Sequence, residues 1–185
     1  MNTNMKKIVL ALMAVGTCVS APQAFAARST YGGSGTLHFQ GGVTDGACTI
    51  DTTSVNQTIS LPEVKVSRLK SAGDVAGETD FHIKLTDCDI TTFHTAMVKF
   101  TGISGVTGTP ANTFSPDTSA ADRAKNVGLQ IKDSGGHVLT PSLDSTPQAL
   151  TPGTDQIDFT AAYQAGAAVT PGSFNATVGF AVDYQ

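Results

Sequence analysis

Near the C-terminus, Phe174, Ala176, Val178, Phe180, Val182 and Tyr184 all fall on even positions, while Ser173, Asn175, Thr177 and Asp183 fall on odd ones. A two-residue period places every second side chain on one face of a β-strand. Residues 174–184 therefore predict one strand whose apolar face runs unbroken over eleven residues. Terminal segments fray unless something holds them. Either the core of the domain or a partner must cover this face.

The rest of the chain favours the same class. Short apolar runs recur at 58–61, 81–85, 96–100, 127–131, 138–139 and 157–163, separated by turn signals at 71–74, 133–136 and 151–153. The aromatics are nine Phe and three Tyr with no Trp, set among abundant Gly, Thr, Ser, Ala and Val. Many short strands joined by turns predict an all-β sandwich or barrel. Residues 102–125, rich in Gly, Thr, Ser, Pro and Asp, read as a long surface loop. With 40% hydrophobic and 14% charged residues, the chain is too apolar for a solvated disordered polymer. Past its first thirty residues it is too polar for a membrane span.

The N-terminus carries Lys6-Lys7, an apolar run over 8–19, and Ala24-Phe25-Ala26, the pattern of a cleavable export signal ending at Ala26. A membrane anchor needs a longer run than Ser20, Pro22 and Gln23 permit. A lipoprotein site at Cys18 would want a small residue where Thr17 stands. Fifteen acidic and eleven basic residues give a net charge of −4, and loss of Lys6 and Lys7 takes the exported chain to −6. Such a chain has no basic excess with which to bind nucleic acid by counterion release. Cys48 and Cys88 remain as an even pair in an oxidising compartment, so a single disulfide is the simplest assignment.

Residues 27–35 are polar and glycine-rich and read as a flexible lead-in. The stretch that follows alternates again, with Leu37, Phe39 and Val43 on one face and Gly41 beside them. A glycine on the apolar face of a strand weakens it, and marks a place where another segment comes close.

Signals for chemistry are weak. His38, His82, His94 and His137 stand at no metal-ligand spacing, and there is neither a Gly-x-Ser-x-Gly elbow nor a paired-acid motif. His38, His82 and Lys84 occupy the polar positions of their strands. Asp87 and Asp89 flank Cys88 in a way that admits a metal, but acids beside a disulfide at a strand end are more often solvated. No catalytic residue, metal site or cofactor is predicted.

Taken in order, Gly-Thr-Leu-His-Phe-Gln-Gly at 35–41, Ala47-Cys48, Lys84-Leu85-Thr86-Asp87-Cys88-Asp89, Asn126-Val127-Gly128-Leu129-Gln130-Ile131 and the terminal strand make the chain resemble a chaperone–usher pilin. Within that family it is most similar to the major shaft subunit of type 1 fimbriae. Gly172, fourteenth from the end, and penultimate Tyr184 match the family's C-terminal signature. The resemblance covers essentially the whole exported chain.

The resemblance implies an incomplete immunoglobulin-like sandwich, completed by a donor strand from a neighbouring subunit or from a chaperone. It divides the chain into a signal peptide at 1–26, an N-terminal extension holding the donor strand at 27–45, and a pilin domain at 46–185. Leu37, Phe39, Gly41 and Val43 become the donor face. Gly172, Phe174, Ala176, Val178, Phe180, Val182 and Tyr184 become the acceptor groove and chaperone-binding strand. The implied function is a structural subunit of an adhesive fimbria on the bacterial surface, reached through the periplasm and polymerised head to tail by donor-strand exchange. The implied partners are identical subunits, a periplasmic chaperone, an outer-membrane usher and tip subunits. A minor adaptor or a lectin-like adhesive pilin is the alternative. The exported length leaves no room for a second receptor-binding domain, and a terminating subunit would lack the donor strand that this chain has.

Overall fold

The alternating runs close into two antiparallel sheets in a computed structural model, which describes residues 35–43 and 46–185. The expected signal peptide at 1–26, the rest of the chain ahead of Gly35, and positions 44 and 45 lie outside the described residues. The chain divides into two units, 1–41 and 42–185. In the first, residues 35–41 carry no strand pairing, and Leu37 and Phe39 are exposed.

The second unit is the folded domain. Its elements are β1 (Thr49–Ile50), the single helical turn α1 (Thr52–Val55), a 3₁₀ turn (Val66–Arg68), β2 (Val75–Cys88), β3 (Thr95–Gly102), β4 (Lys125–Asp133), β5 (Val138–Leu139), β6 (Gln148–Ala149), β7 (Gly153–Thr170) and β8 (Val178–Tyr184). One sheet has the order β1-β2-β7-β4-β5 and the other β6-β3-β8, so β8 is an edge strand. The result is an immunoglobulin-like sandwich whose smaller sheet stops at three strands.

The inner faces supply the core. Ile83 and Leu85 of β2, Ile131 of β4 and Ile157 and Phe159 of β7 meet Ala96, Val98 and Phe100 of β3. Phe159 stands at the centre of three rings, 5.5 Å from Phe81 and 5.0 Å from Phe100 between centroids. Each of the Val, Leu, Ile and Phe side chains withdrawn from water contributes about 1.5–3 kcal/mol. The expected disulfide joins Cys48 to Cys88 and ties the segment entering β1 to the end of β2. Closing a loop with a sequence separation of 40 stabilises the fold by about 4 kcal/mol in the chain-entropy account. His82 is exposed on the outer face beside half-buried Lys84, as their positions in the alternation predict.

Three expectations are corrected. Residues 58–61 form no strand, and make no main-chain hydrogen bond among the described residues. Their apolar alternation is real, but nothing in the sheet pairs with them. Residues 102–125 do not simply run over the surface, because Thr113, Phe114 and Ser115 are buried. Phe114 exchanges two 2.8 Å main-chain bonds with Leu129, and Thr113 occupies the space that a side chain at Gly128 would need. The terminal strand is regular only from Val178. Ahead of it, Ser173 and Asn175 are held instead by Ala124 and Asp117, whose N–H groups donate to their carbonyls at 2.8 Å.

Candidate functional site: an apolar cleft beside the last strand

Along the free edge of β8 lies a cleft of about 990 Å³. One wall is the stretch from Phe174 to Phe180, and the other is residues 56–61, with Ile59 and Leu61 among them. Phe81, Ile83, Phe100, Ile131 and Tyr163 form the floor.

Local structure positions each wall. α1 begins at Asp51, whose carboxylate accepts from the Thr53 N–H at 2.9 Å and caps the turn. Ser54 Oγ then accepts from the Lys84 N–H at 2.9 Å, and Gln57 Nε2 donates to the His82 carbonyl at 2.8 Å. Together with the Asp51 N–H, which donates to the Lys84 carbonyl at 2.9 Å, these bonds hold the start of the second wall against β2, while the main chain of 58–61 stays unpaired among the described residues. The first wall is registered by β3, which pairs Gly102↔Val178 through Ala96↔Tyr184. Its even-numbered residues are half-buried and its odd-numbered ones exposed, so the alternation read from sequence holds along 174–184.

The predicted acceptor residues separate into groups. Phe174, Ala176, Val178 and Phe180 line the cleft. Val182 and Tyr184 pack against the main core, and Tyr184 Oη donates to the Cys48 carbonyl at 3.1 Å, closing that end. Gly172 is not in the lining. It lies against the main chain of residues 122–124, which a side chain there would strike. At the opposite end Phe174 packs edge-on to Tyr163 with ring centroids 5.1 Å apart, and burial raises the Tyr163 phenol above its ordinary pKa.

The predicted donor residues stand apart from any core: Leu37 is 80%, Phe39 88% and Val43 104% exposed, and nothing approaches the position a Gly41 side chain would take. The second wall at 56–61 was missed as a site component. Its signal was the Ile59/Leu61 alternation, which marks an apolar edge but not what the edge borders.

Chemically, the cleft offers an apolar floor between two stretches of chain that lack sheet partners on the facing sides. Asp117 is the one carboxylate in its lining, and Thr177 Oγ1 approaches it at 3.5 Å. Among the described residues no group of three or more His, Cys, Asp or Glu is placed to hold a metal, and no helix is long and apolar enough to cross a membrane. Such a cleft is suited to accept an extended segment.

Comparison with known proteins places the chain in a family. The family model described as fimbrial protein matches residues 37–185. A type-1 fimbrial protein A chain of Escherichia coli is 39% identical, with 96% of each chain covered. A type 1 fimbrial subunit of Klebsiella pneumoniae is 38% identical over 98% of this chain and all of that one. Among solved structures, a subunit from a chaperone–usher pilus studied for rod uncoiling aligns with TM-score 0.68 and 28% identity, covering 86% of this chain and 100% of its own. The P pilus rod subunit PapA aligns with TM-score 0.63 and 25% identity, covering 76% of this chain and 100% of its own. With the family model matched from Leu37 to the C-terminus and these relatives aligned almost end to end, the chain belongs to the fimbrial protein family and is a structural pilus subunit.

Proposed function

We propose that this fimbrial subunit polymerises head to tail, its own 37–43 segment filling the cleft of a neighbour while its own cleft receives the segment of the next. The observation that carries this is a match of lengths. Leu37 to Val43 and Phe174 to Phe180 each span seven residues and turn every second position to one face, with Gly41 the one such position that carries no side chain. At ~3.4 Å per residue both run about 20 Å. An inserted strand gains main-chain hydrogen bonds along the edge of β8 and buries its alternate side chains on the floor. Leu37, Phe39, Gly41 and Val43 supply the donor face, and Phe174, Ala176, Val178 and Phe180 the acceptor face. Gly41 allows the close approach that a narrow cleft demands.

A segment that fills another molecule's cleft makes a heterologous contact, and such contacts propagate into filaments instead of closing. An unfilled cleft is an exposed sheet edge prone to aggregation. A periplasmic chaperone that lends a strand before assembly, and an outer-membrane usher that exchanges it for the next subunit's extension, answer that hazard. The same logic carries the fibre to the cell surface and joins its last shaft subunit to tip subunits. Because the inserted strand completes the core, release requires unfolding, which makes the polymer kinetically durable.

The test is an SDS gel of the exported protein, unboiled beside boiled, for the full chain and for a form lacking residues 27–45. A ladder that collapses on boiling and disappears with the deletion is expected. A full chain that runs as a monomer in both lanes, and that is folded and soluble before SDS is added without any chaperone, would overturn the proposal.

A further inference from the structure

The folded domain is electrically uneven along its long axis. β2 and β7 pair from Val75↔Gln164 at one end to Cys88↔Gly153 at the other, a ladder ~45 Å long. Beyond the Val75 end, Lys65, Arg68 and Lys70 stand exposed within six residues. The Val169 N–H donates to the Leu69 carbonyl there, and Lys125 pairs with Thr170, which brings Arg123 and Lys125 to the same end. Four carboxylates share it. Asp74 is turned onto the N–H groups of Lys70 and Ser71, Asp117 and Asp122 are tied to Thr177 and Ser173, and Glu63 precedes the cations. No carboxylate lies within ion-pair distance of the five cations, since the ion pairs among the described residues use Lys84, Lys99, Lys132 and His137.

The other end is acidic. Asp87 and Asp89 are exposed on either side of Cys88, Asp89 also accepting from the Thr91 N–H at 2.9 Å, and Asp155, which accepts from the Thr151 N–H at 2.7 Å, pairs across from Leu85. Gln185 marks the same end of the fold, its main-chain oxygen accepting from the N–H groups of His94 and Thr95 at 2.7 and 2.8 Å. Lys84, three residues before Asp87 on β2, is matched by Asp51 at 3.4 Å.

Chain connectivity relates these ends to the cleft. The Asp89 N–H donates to the Ala47 carbonyl at 2.8 Å, so the N-terminal extension leaves the domain from the acidic end. Val43 lies four residues before Ala47, at most about 14 Å of chain. The two walls of the cleft run in opposite directions, one from Asn56 toward Val64 and the other from Phe174 toward Tyr184, so hydrogen bonding alone does not set which way a strand enters. Bulk does. Tyr184 and Cys48 close one end, while the end at Tyr163, Phe174 and Leu61 leads straight to Val64 and the basic stretch. A folded domain trailing so closely behind Val43 fits only at the open end.

We propose that the acidic end of each subunit seats against the basic end of the subunit whose cleft it fills, and that Lys65, Arg68 and Lys70 steer and orient that docking. The inference rests on the head-to-tail assembly proposed above. Opposite charges at opposite ends favour a contact that repeats along a fibre, whereas side-on approach of two net-negative chains is repelled.

The test uses the full exported chain and the triple variant Lys65→Glu, Arg68→Glu, Lys70→Glu. The rate of SDS-resistant ladder formation is followed across low and high NaCl, beside insertion of a synthetic peptide of residues 27–45, which has no acidic domain behind it. At low salt the triple variant should assemble about tenfold more slowly, and salt should erase the difference. The peptide should enter both proteins at the same rate. Equal assembly rates at low salt would overturn the proposal. So would a peptide slowed as much as the subunit, because the charges would then act on the strand and not on the docking of domains. Absence of any ladder from the unaltered chain would instead remove the strand-exchange assembly itself.

Discussion

The hydroxyl of Tyr184 donates a 3.1 Å hydrogen bond to the main-chain carbonyl of Cys48, 136 residues earlier. The penultimate residue is thereby fastened to the disulfide that opens the domain, which explains how a terminal strand stays ordered. Tyr184→Phe removes the donor and leaves the carbonyl unsatisfied, so urea unfolding at neutral pH should show a loss of about 1 kcal/mol. Burial also raises the phenol pKa of Tyr184, and of Tyr163, above the ordinary value of 10.0. Above that value the unfolded chain gives up these protons before the folded one does. Stability is therefore intact below pH ~10 and falls as pH rises through it. Unfolding measured from about pH 9 to pH 11 should show a shallower decline in Tyr184→Phe than in the unaltered chain. An identical slope would place the alkaline sensitivity elsewhere.

Asp133 closes the β4–β5 hairpin with a buried carboxylate. Its Oδ1 accepts from the His137 N–H at 2.9 Å, and its Oδ2 from the Thr146 hydroxyl at 2.7 Å and the Thr146 N–H at 3.3 Å. Burial alone would raise its pKa, but the Thr146 and His137 donors outweigh it and hold the carboxyl below the usual range. With the folded pKa depressed, the stabilisation is present above the unfolded value near 4 and is lost as pH falls through the folded one. Asp133→Asn should cost about 1–3 kcal/mol at neutral pH. The gap from the unaltered chain should narrow as pH drops below ~4, which paired denaturation curves at neutral and acid pH would reveal.

Sequence periodicity found those strands whose partners lie within the chain. Ile83 and Leu85, Val98 and Phe100, and Ile157 and Phe159 alternate because each has a sheet on one side and solvent on the other. β1 and β6 escaped notice because each sets one polar residue beside one apolar one, whereas the equally short β5 shows as the apolar pair Val138–Leu139. The stretch 58–61 has the pattern of a strand, yet its edge is unpaired, since periodicity reports which face is apolar and not whether a neighbour exists. The cleft wall at 174–180 was half legible for a related reason. The parity of 174–184 shows which side chains share a face, but the division at Phe180 depends on Cys48 and Tyr184 meeting across 136 residues. Composition misled over 102–125, where polar Thr113 is buried because Gly128 makes room for it, and Ser115 lies buried two residues on.

That accommodation is itself open to test. A methyl at Gly128 would collide with Thr113 Oγ1 and crowd the Phe114 carbonyl, which lies 3.3 Å from the added atom. Phe114 is fully buried and paired to Leu129, so the loop cannot simply swing away. Gly128→Ala should destabilise the domain by about 1–3 kcal/mol, the usual cost of overfilling a packed site. Gly128→Ala combined with Thr113→Gly should recover part of the loss, because the second change removes the atom that the first one strikes. Chemical denaturation of the two variants decides whether the loop is fixed by this contact.

Gly41 separates folding from assembly. Nothing lies within 4 Å of the position its side chain would take, so the single chain has space for any residue there. If the segment enters a neighbour's cleft, a long cation at this position must be driven between apolar walls that have no carboxylate except Asp117. Desolvating that charge without a partner costs several kcal/mol, comparable with what the flanking Leu37 and Phe39 gain by burial. Gly41→Arg should leave the circular dichroism and the urea midpoint of the monomer unchanged while abolishing the SDS-resistant ladder. Mixing sharpens the test. The variant keeps an intact cleft, so it should still accept the extension of an unaltered subunit and stop there, giving short capped chains. If Gly41→Arg assembled as readily as the unaltered protein, the 37–43 segment would not be the strand that fills the cleft.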